Sequence, residues 1–159
     1  MIHRAPLVWL MTLGLLLAAG CSGDDDSEGM TKEEWVAAAD AICVDMDAEL
    51  APIPEPQTPE EIADAGEQAA QITRNGISEL RALNPPEGDD VVVSELLDSF
   101  DAFVDVGAEF TQAAAAAGSL EEMSDEVETL FRELEAANEN ARQLAEDYGL
   151  KQCFANQEG

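Results

Sequence analysis

Apolar side chains recur every three to four positions through most of the chain, and proline or glycine clusters interrupt them. That spacing marks amphipathic helices, and no stretch alternates apolar and polar residues as a half-buried strand would. The first helix is predicted to open at Thr31, with Glu34 completing a capping box, and to place Trp35, Ala39, Ile42, Met46 and Leu50 along one face. The run APIPEPQTP stops it, because repeated prolines cannot continue a helix. A second helix opens at Thr58 with Pro59 at its first position and Glu61 closing another box. It runs through Ile62, Ala65, Ala69, Ile72, Gly76, Leu80 and Leu83 to Asn84-Pro85-Pro86, and the Asn75-Gly76 pair marks either a kink or a close helix crossing.

The third helix has the clearest period. Val93, Leu96, Leu97, Phe100, Phe103, Val104 and Phe110 share a face with Gly107, while Glu95, Asp98, Asp101, Asp105 and Glu109 fall mostly away from it. Its alanine-rich end is expected to stop at Gly118. The fourth helix is predicted to start at Ser119 with Glu122 three residues on, and to run inward-facing through Met123, Val127, Leu130, Phe131, Leu134, Ala137, Ala141, Leu144 and Tyr148 to Gly149. Four such helices with short connections predict an all-α, antiparallel up-down-up-down four-helix bundle over residues 31–159. This topology brings the end of the fourth helix back beside the first.

The first twenty residues follow another pattern. Arg4 precedes the apolar run from Ala5 to Ala19, then Gly20 and Cys21, which reads as a secretory signal peptide. The run is short for a spanning helix of about 20 residues. Leu17-Ala18-Ala19-Gly20-Cys21 resembles the lipobox of bacterial lipoproteins, although Ala18 stands where that family more often has leucine. The resemblance implies cleavage after residue 20, lipid on the Cys21 sulfur (a diacylglycerol thioether and an added acyl chain such as palmitate), and attachment to the cell membrane on its extracytoplasmic side. More than one acyl chain gives stable anchoring where a single chain is marginal. An ordinary signal peptide, or an uncleaved N-terminal anchor, is the alternative. An uncleaved anchor would also leave the acidic remainder outside, because the only base of this region, Arg4, precedes the apolar run. Residues 21–30 are polar and acidic, without apolar period, and read as a flexible lipidated tether.

Beyond the leader, the cysteine in the first helix, Asn84-Pro85-Pro86, and Tyr148-Gly149 followed by Cys153 are similar to the small all-helical lipoproteins of actinobacteria. The likeness implies an architecture and a place, and transfers no active site. With Cys21 lipidated, Cys43 and Cys153 are the remaining cysteines, in an oxidising compartment where two thiols commonly pair. The returning topology predicts a Cys43–Cys153 disulfide, the alternative being two unpaired thiols.

The chain carries 35 acidic residues and 7 Lys or Arg, a formal net charge of −28 at pH 7. Cleavage would remove Arg4 and no acid, and also the sole histidine, His3. Such a charge repels nucleic acid and anionic headgroups, so nucleic acid is not an expected partner; basic surfaces and weak, exchangeable divalent cations are. Solvated helix faces account for scattered carboxylates equally well.

Known chemistries find little support. Di-iron bundles need Glu-x-x-His, zinc and haem need histidine or free cysteines, and no Gly-x-Ser-x-Gly or Gly-x-x-x-x-Gly-Lys occurs. Asp24, Asp26, Glu28 and Gly29 match the first half of a calcium loop, but position 12 is Trp35 and no helix leads in. Asp45, Asp47 and Glu49 alternate along a helix and should not converge. Trp35 and Tyr148 fall at helix ends expected to meet, where they either line a ligand pocket or close the core. The expectation is a protein without catalysis or cofactor, which binds another envelope component, or else carries a small ligand or divalent cation.

Overall fold

The computed structural model describes residues 29–117 and 124–155. These form four helices: α1 (Lys32–Leu50), α2 (Pro59–Ala82), α3 (Asp90–Ala116) and α4 (Asp125–Tyr148). No strand occurs among the described residues. The predicted starts of α1 and α2 hold to the residue: Thr31 and Thr58 each accept the backbone N–H three residues on, and Glu34 and Glu61 reach back to the cap backbone. Each box satisfies two N–H groups that a helix start otherwise leaves unpaired. Thr31 hydrogen bonding also holds the Glu34 carboxyl below its ordinary range.

Two boundaries differ from expectation. α3 ends at Ala116 with Ala117 as its C-cap, ahead of Gly118. α4 starts at Asp125, because Ser124 is extended and its hydroxyl accepts the Val127 N–H. Ser119 and Met123 lie outside the described residues, as do Cys21, the leader and the calcium-like positions Asp24 to Glu28.

The helices form an antiparallel bundle in which α1 packs on α2, α2 on α3 and α3 on α4. Gly76 is the close crossing: a Cβ there would lie 2.8 Å from Met46 Sδ, so α1 rests directly on the α2 backbone. A Cβ on Gly66 would lie 2.6 Å from Thr111 Cγ2, which gives α2 and α3 the same intimacy near their other ends. Arg74 pairs with Asp105 and Arg81 with Asp98 and Asp101 across the outer α2–α3 seam. These exposed pairs set register more than stability.

The fully buried core gathers at one end, here called the lower end, where α1 begins, α2 meets α3 and α4 stops. Trp35, Ala39, Leu80, Leu96, Ala141 and Tyr148 are among its members. The backbones of α1 and α4 nowhere come within 8 Å of each other, Cα to Cα. Large side chains and the tail span that gap instead. The Trp35 and Tyr148 rings meet edge to face with centroids 5.2 Å apart, and Lys32 Nζ sits 4.2 Å from the Tyr148 ring centre. Gly149, at φ 112°, caps α4 in a left-handed conformation that favours glycine and turns the chain back toward α1. There Asp40 Oδ1 accepts the backbone N–H groups of Lys151 and Gln152, both at 2.9 Å. The Cys43–Cys153 disulfide then closes a separation of 110 residues.

Candidate functional site

The most open part of the fold follows from unequal helix lengths. α1 has 19 residues against 24 in α2, 27 in α3 and 24 in α4. With Met46 set against Gly76 in an antiparallel pair, Leu50 ends α1 near the level of Ile72. The preceding residues of α2, 59–71, therefore rise about 20 Å without a fourth helix alongside. The prolines after Leu50 explain the early stop, since the chain needs Pro52, Pro54 and Pro56 in extended or turn conformations before α2 begins.

In this upper half an apolar cavity of about 280 Å³ lies among α2, α3 and α4, with no α1 residue in its wall. Ala69, Ala70, Phe103, Gly107, Phe110 and Leu134 form most of its surface. Small side chains on α2 and the absent Cβ of Gly107 keep it open. Phe110 also meets Phe131, with ring centroids 5.9 Å apart, and Phe131 is 43 % exposed. The expectation that Phe131 faces inward is thus corrected: α1 ends below it, and nothing described covers its outer side. One turn from Leu134, Asn138 Oδ1 is buried without a hydrogen-bond partner.

No carboxylate lines the cavity itself, and those of this half border other clefts. Asp64 borders a cleft between α2 and the segment 53–57 that lies beside it, Glu67 shares the α2–α3 cleft with Arg74, and Glu109, Asp125, Glu126 and Glu133 line an open cleft between α3 and α4. Arg74, which lines the cleft that holds Glu67, and Arg132 are the bases near this upper half among the described residues; Lys32, Arg81, Arg142 and Lys151 lie toward the lower end. The buried core is thus gathered at one end and the apolar small-residue surface at the other, while carboxylates are spread along both.

The sequence-derived site residues take other places. Trp35 and Tyr148 come together as expected, but they do so inside the core, 0 % and 4 % exposed, packed against each other. Trp35 Nε1 is buried without a hydrogen-bond partner. Tyr148 Oη donates to Asp89 Oδ2 at 2.9 Å, and burial, reinforced by that carboxylate, pushes the phenol above its ordinary range. Cys43 and Cys153 are joined. Among the described residues no three His, Cys, Asp or Glu side chains are grouped to hold a metal ion, and Asp45, Asp47 and Glu49 form no such group. Among them, too, no helix is long and apolar enough to cross a membrane.

Periodicity could not reveal the cavity, because every residue in it obeys the helical pattern. The difference between a 19-residue helix and its longer neighbours was readable, but its meaning depends on the Met46–Gly76 register. No protein-family model matches this chain, and no curated protein or solved structure matches it significantly.

Proposed function

We propose that this is a lipid-anchored, extracytoplasmic binding protein of the bacterial envelope, without catalytic activity, which engages another envelope protein through the uncovered upper half of its bundle. The observation that carries the reading is the short α1, which leaves the cavity among α2, α3 and α4 and the half-exposed Phe131 without a covering helix. Exposed aromatics beside small-residue grooves suit helix-in-groove recognition. The lipobox-like leader supports the anchor. Gly29 stands against the Pro85 backbone at the lower end, so a tether running from Cys21 would leave the cavity at the end away from the membrane.

In-cell photo-cross-linking tests this. A benzophenone side chain at Phe131 of the full-length chain should give one dominant protein adduct, and the same group at Val91, which is 76 % exposed at the lower end, should not. Equal adducts from both positions, or none from Phe131, would overturn the reading.

A second reading is carriage of a small apolar ligand, favoured by a cavity whose volume of about 280 Å³ approaches that of small-molecule sites. A ligand-dependent rise in melting temperature without any adduct at Phe131 would select it, since a bound native state is stabilised by mass action.

A further inference from the structure

Resting on the lipid-anchored reading, we infer that the lower tip of the bundle, at Val91 and Val92 in the first turn of α3, is a contact surface for a zwitterionic bilayer and keeps that end on the membrane. Val91 is 76 % exposed and Val92 48 %, and they are two of the four large apolar side chains left exposed among the described residues. The helical pattern does not call for them, since of the run Val91-Val92-Val93 only Val93 enters the core. Their direction follows from helix geometry. Each Cα–Cβ bond leans toward the helix N-terminus, so side chains in the first turn of α3 tilt toward the lower end of the bundle.

The anchor puts a bilayer beside this tip. Gly29 stands against the Pro85 backbone, in the connection that leads into α3, and Met30 packs on the core, so the chain toward Cys21 departs from the same end. The stretch from Cys21 to Gly29 reaches about 28 Å at full extension, whereas the 27-residue α3 is about 40 Å long, so an anchored bundle cannot stand inverted. Within so short a reach the contact is effectively intramolecular, and a high local concentration lets a small apolar patch suffice. Charge selects the kind of surface. Glu87 and Asp90, both exposed, flank the valines, and Lys32, over the Tyr148 ring, is the base nearest them. Carboxylates outnumber it, so an anionic surface repels the tip, while zwitterionic headgroups admit the valines to the acyl boundary.

The test uses the full-length chain, lipidated in cells and reconstituted in vesicles of phosphatidylcholine. A benzophenone side chain is placed in turn at Val91, at Glu87 and at Val44, which is 48 % exposed on α1 about three turns above its start. Irradiation followed by mass spectrometry reads the protein–lipid adducts. Adducts at Val91 should exceed those at Val44 about tenfold. With the probe at Glu87, Val91→Ser together with Val92→Ser should lower the yield about fivefold, and because both positions are exposed the fold is kept. Exchanging half of the phosphatidylcholine for phosphatidylglycerol at low salt should lower the Val91 yield about threefold.

Equal lipid adducts at Val91 and Val44 would mean that the anchored bundle meets the bilayer without orientation, and would overturn the inference. An undiminished Glu87 yield in the double serine variant would reduce the contact to proximity imposed by the anchor, and overturn it as well. A dominant protein adduct at Val91 in cells would name a protein as the occupant of the tip, with the same consequence. Flotation of the chain with vesicles but no lipid adduct at Val91 would sink the contact and leave the anchor standing, whereas a chain that does not float would sink both.

Discussion

Tyr148, in the last turn of α4, donates its hydroxyl hydrogen to Asp89, the residue that caps the start of α3, at 2.9 Å. Asp89 makes no side-chain cap bond to its own helix. Its carboxylate is turned to the tyrosine instead, so two helix ends far apart in sequence share one hydrogen bond. Burial raises the phenol pKa first, and the Asp89 bond and charge add to the shift. A raised pKa means that the folded protein keeps its proton while the unfolded chain loses it near the ordinary value of about 10. Stability from this group is therefore complete below about pH 10 and falls as pH rises beyond it. Tyr148 is the only tyrosine in the chain, so phenolate absorbance in the folded protein should stay flat through pH 10 and rise only at higher pH. Tyr148→Phe should cost about 1 kcal/mol at neutral pH and remove the alkaline fall seen in urea melts.

Gly66 and Gly76 should respond differently to alanine. At Gly76 the obstructing atom is Met46 Sδ, near the end of a flexible side chain that can swing aside, and alanine adds up to about 1 kcal/mol of helix propensity. Gly76→Ala should leave the melting temperature nearly unchanged. At Gly66 the new methyl would meet Cβ, Oγ1 and Cγ2 of Thr111, all within 2.7 Å. A β-branched side chain has little rotamer freedom in a helix, so α2 and α3 must separate. Gly66→Ala should destabilise by about 1–3 kcal/mol, read from denaturant midpoints.

Breaking the disulfide should be costly but slow. Cys43 is fully buried and the bridge spans 110 residues. Constraint of a loop that long is worth up to about 4.7 kcal/mol in the chain-entropy view. Cys43→Ala with Cys153→Ala should lower the unfolding free energy by about 2–5 kcal/mol. Reductant added to the native protein should act only as fast as the lower end opens, which a time course of thiol labelling would record.

Asp40→Ala tests the tail clamp. Two backbone N–H groups, of Lys151 and Gln152, lose their carboxylate acceptor. Hydrogen bonds to a charged group are worth about 1.5–3 kcal/mol each when buried, and less at this exposed site. Amide exchange at Lys151 and Gln152 should accelerate at least about tenfold while protection within α3 stays unchanged.

The bundle was legible because its local signals agree with one another. Thr31 with Glu34, Thr58 with Pro59 and Glu61, and Gly149 each act through bonds to near neighbours, and each sits where the pattern put it. The Cys43–Cys153 pair was accessible because topology alone brings those segments together. Ser124 rather than Ser119 caps the start of α4, since two serines in similar contexts compete and only the backbone conformation decides between them. The clamp by Asp40 and the Tyr148–Asp89 bond were out of reach, because one acid among 35 carries no mark of a long-range partner. The uncovered upper half was hidden for a related reason: helix length is local, but register is a property of pairs.

The position of Cys43 within α1 also bears on how the molecule would answer a pull. Force drawn through Met30 enters at the first turn of α1, the helix whose backbone touches only one neighbour. Peeling from that end could release residues 31–42 and no further, because at Cys43 the load passes through sulfur to Cys153 and into the end of α4. Tension is thereby shared between the first and last helices, and α2 and α3, which carry most of the upper cavity, lie off the line of strain.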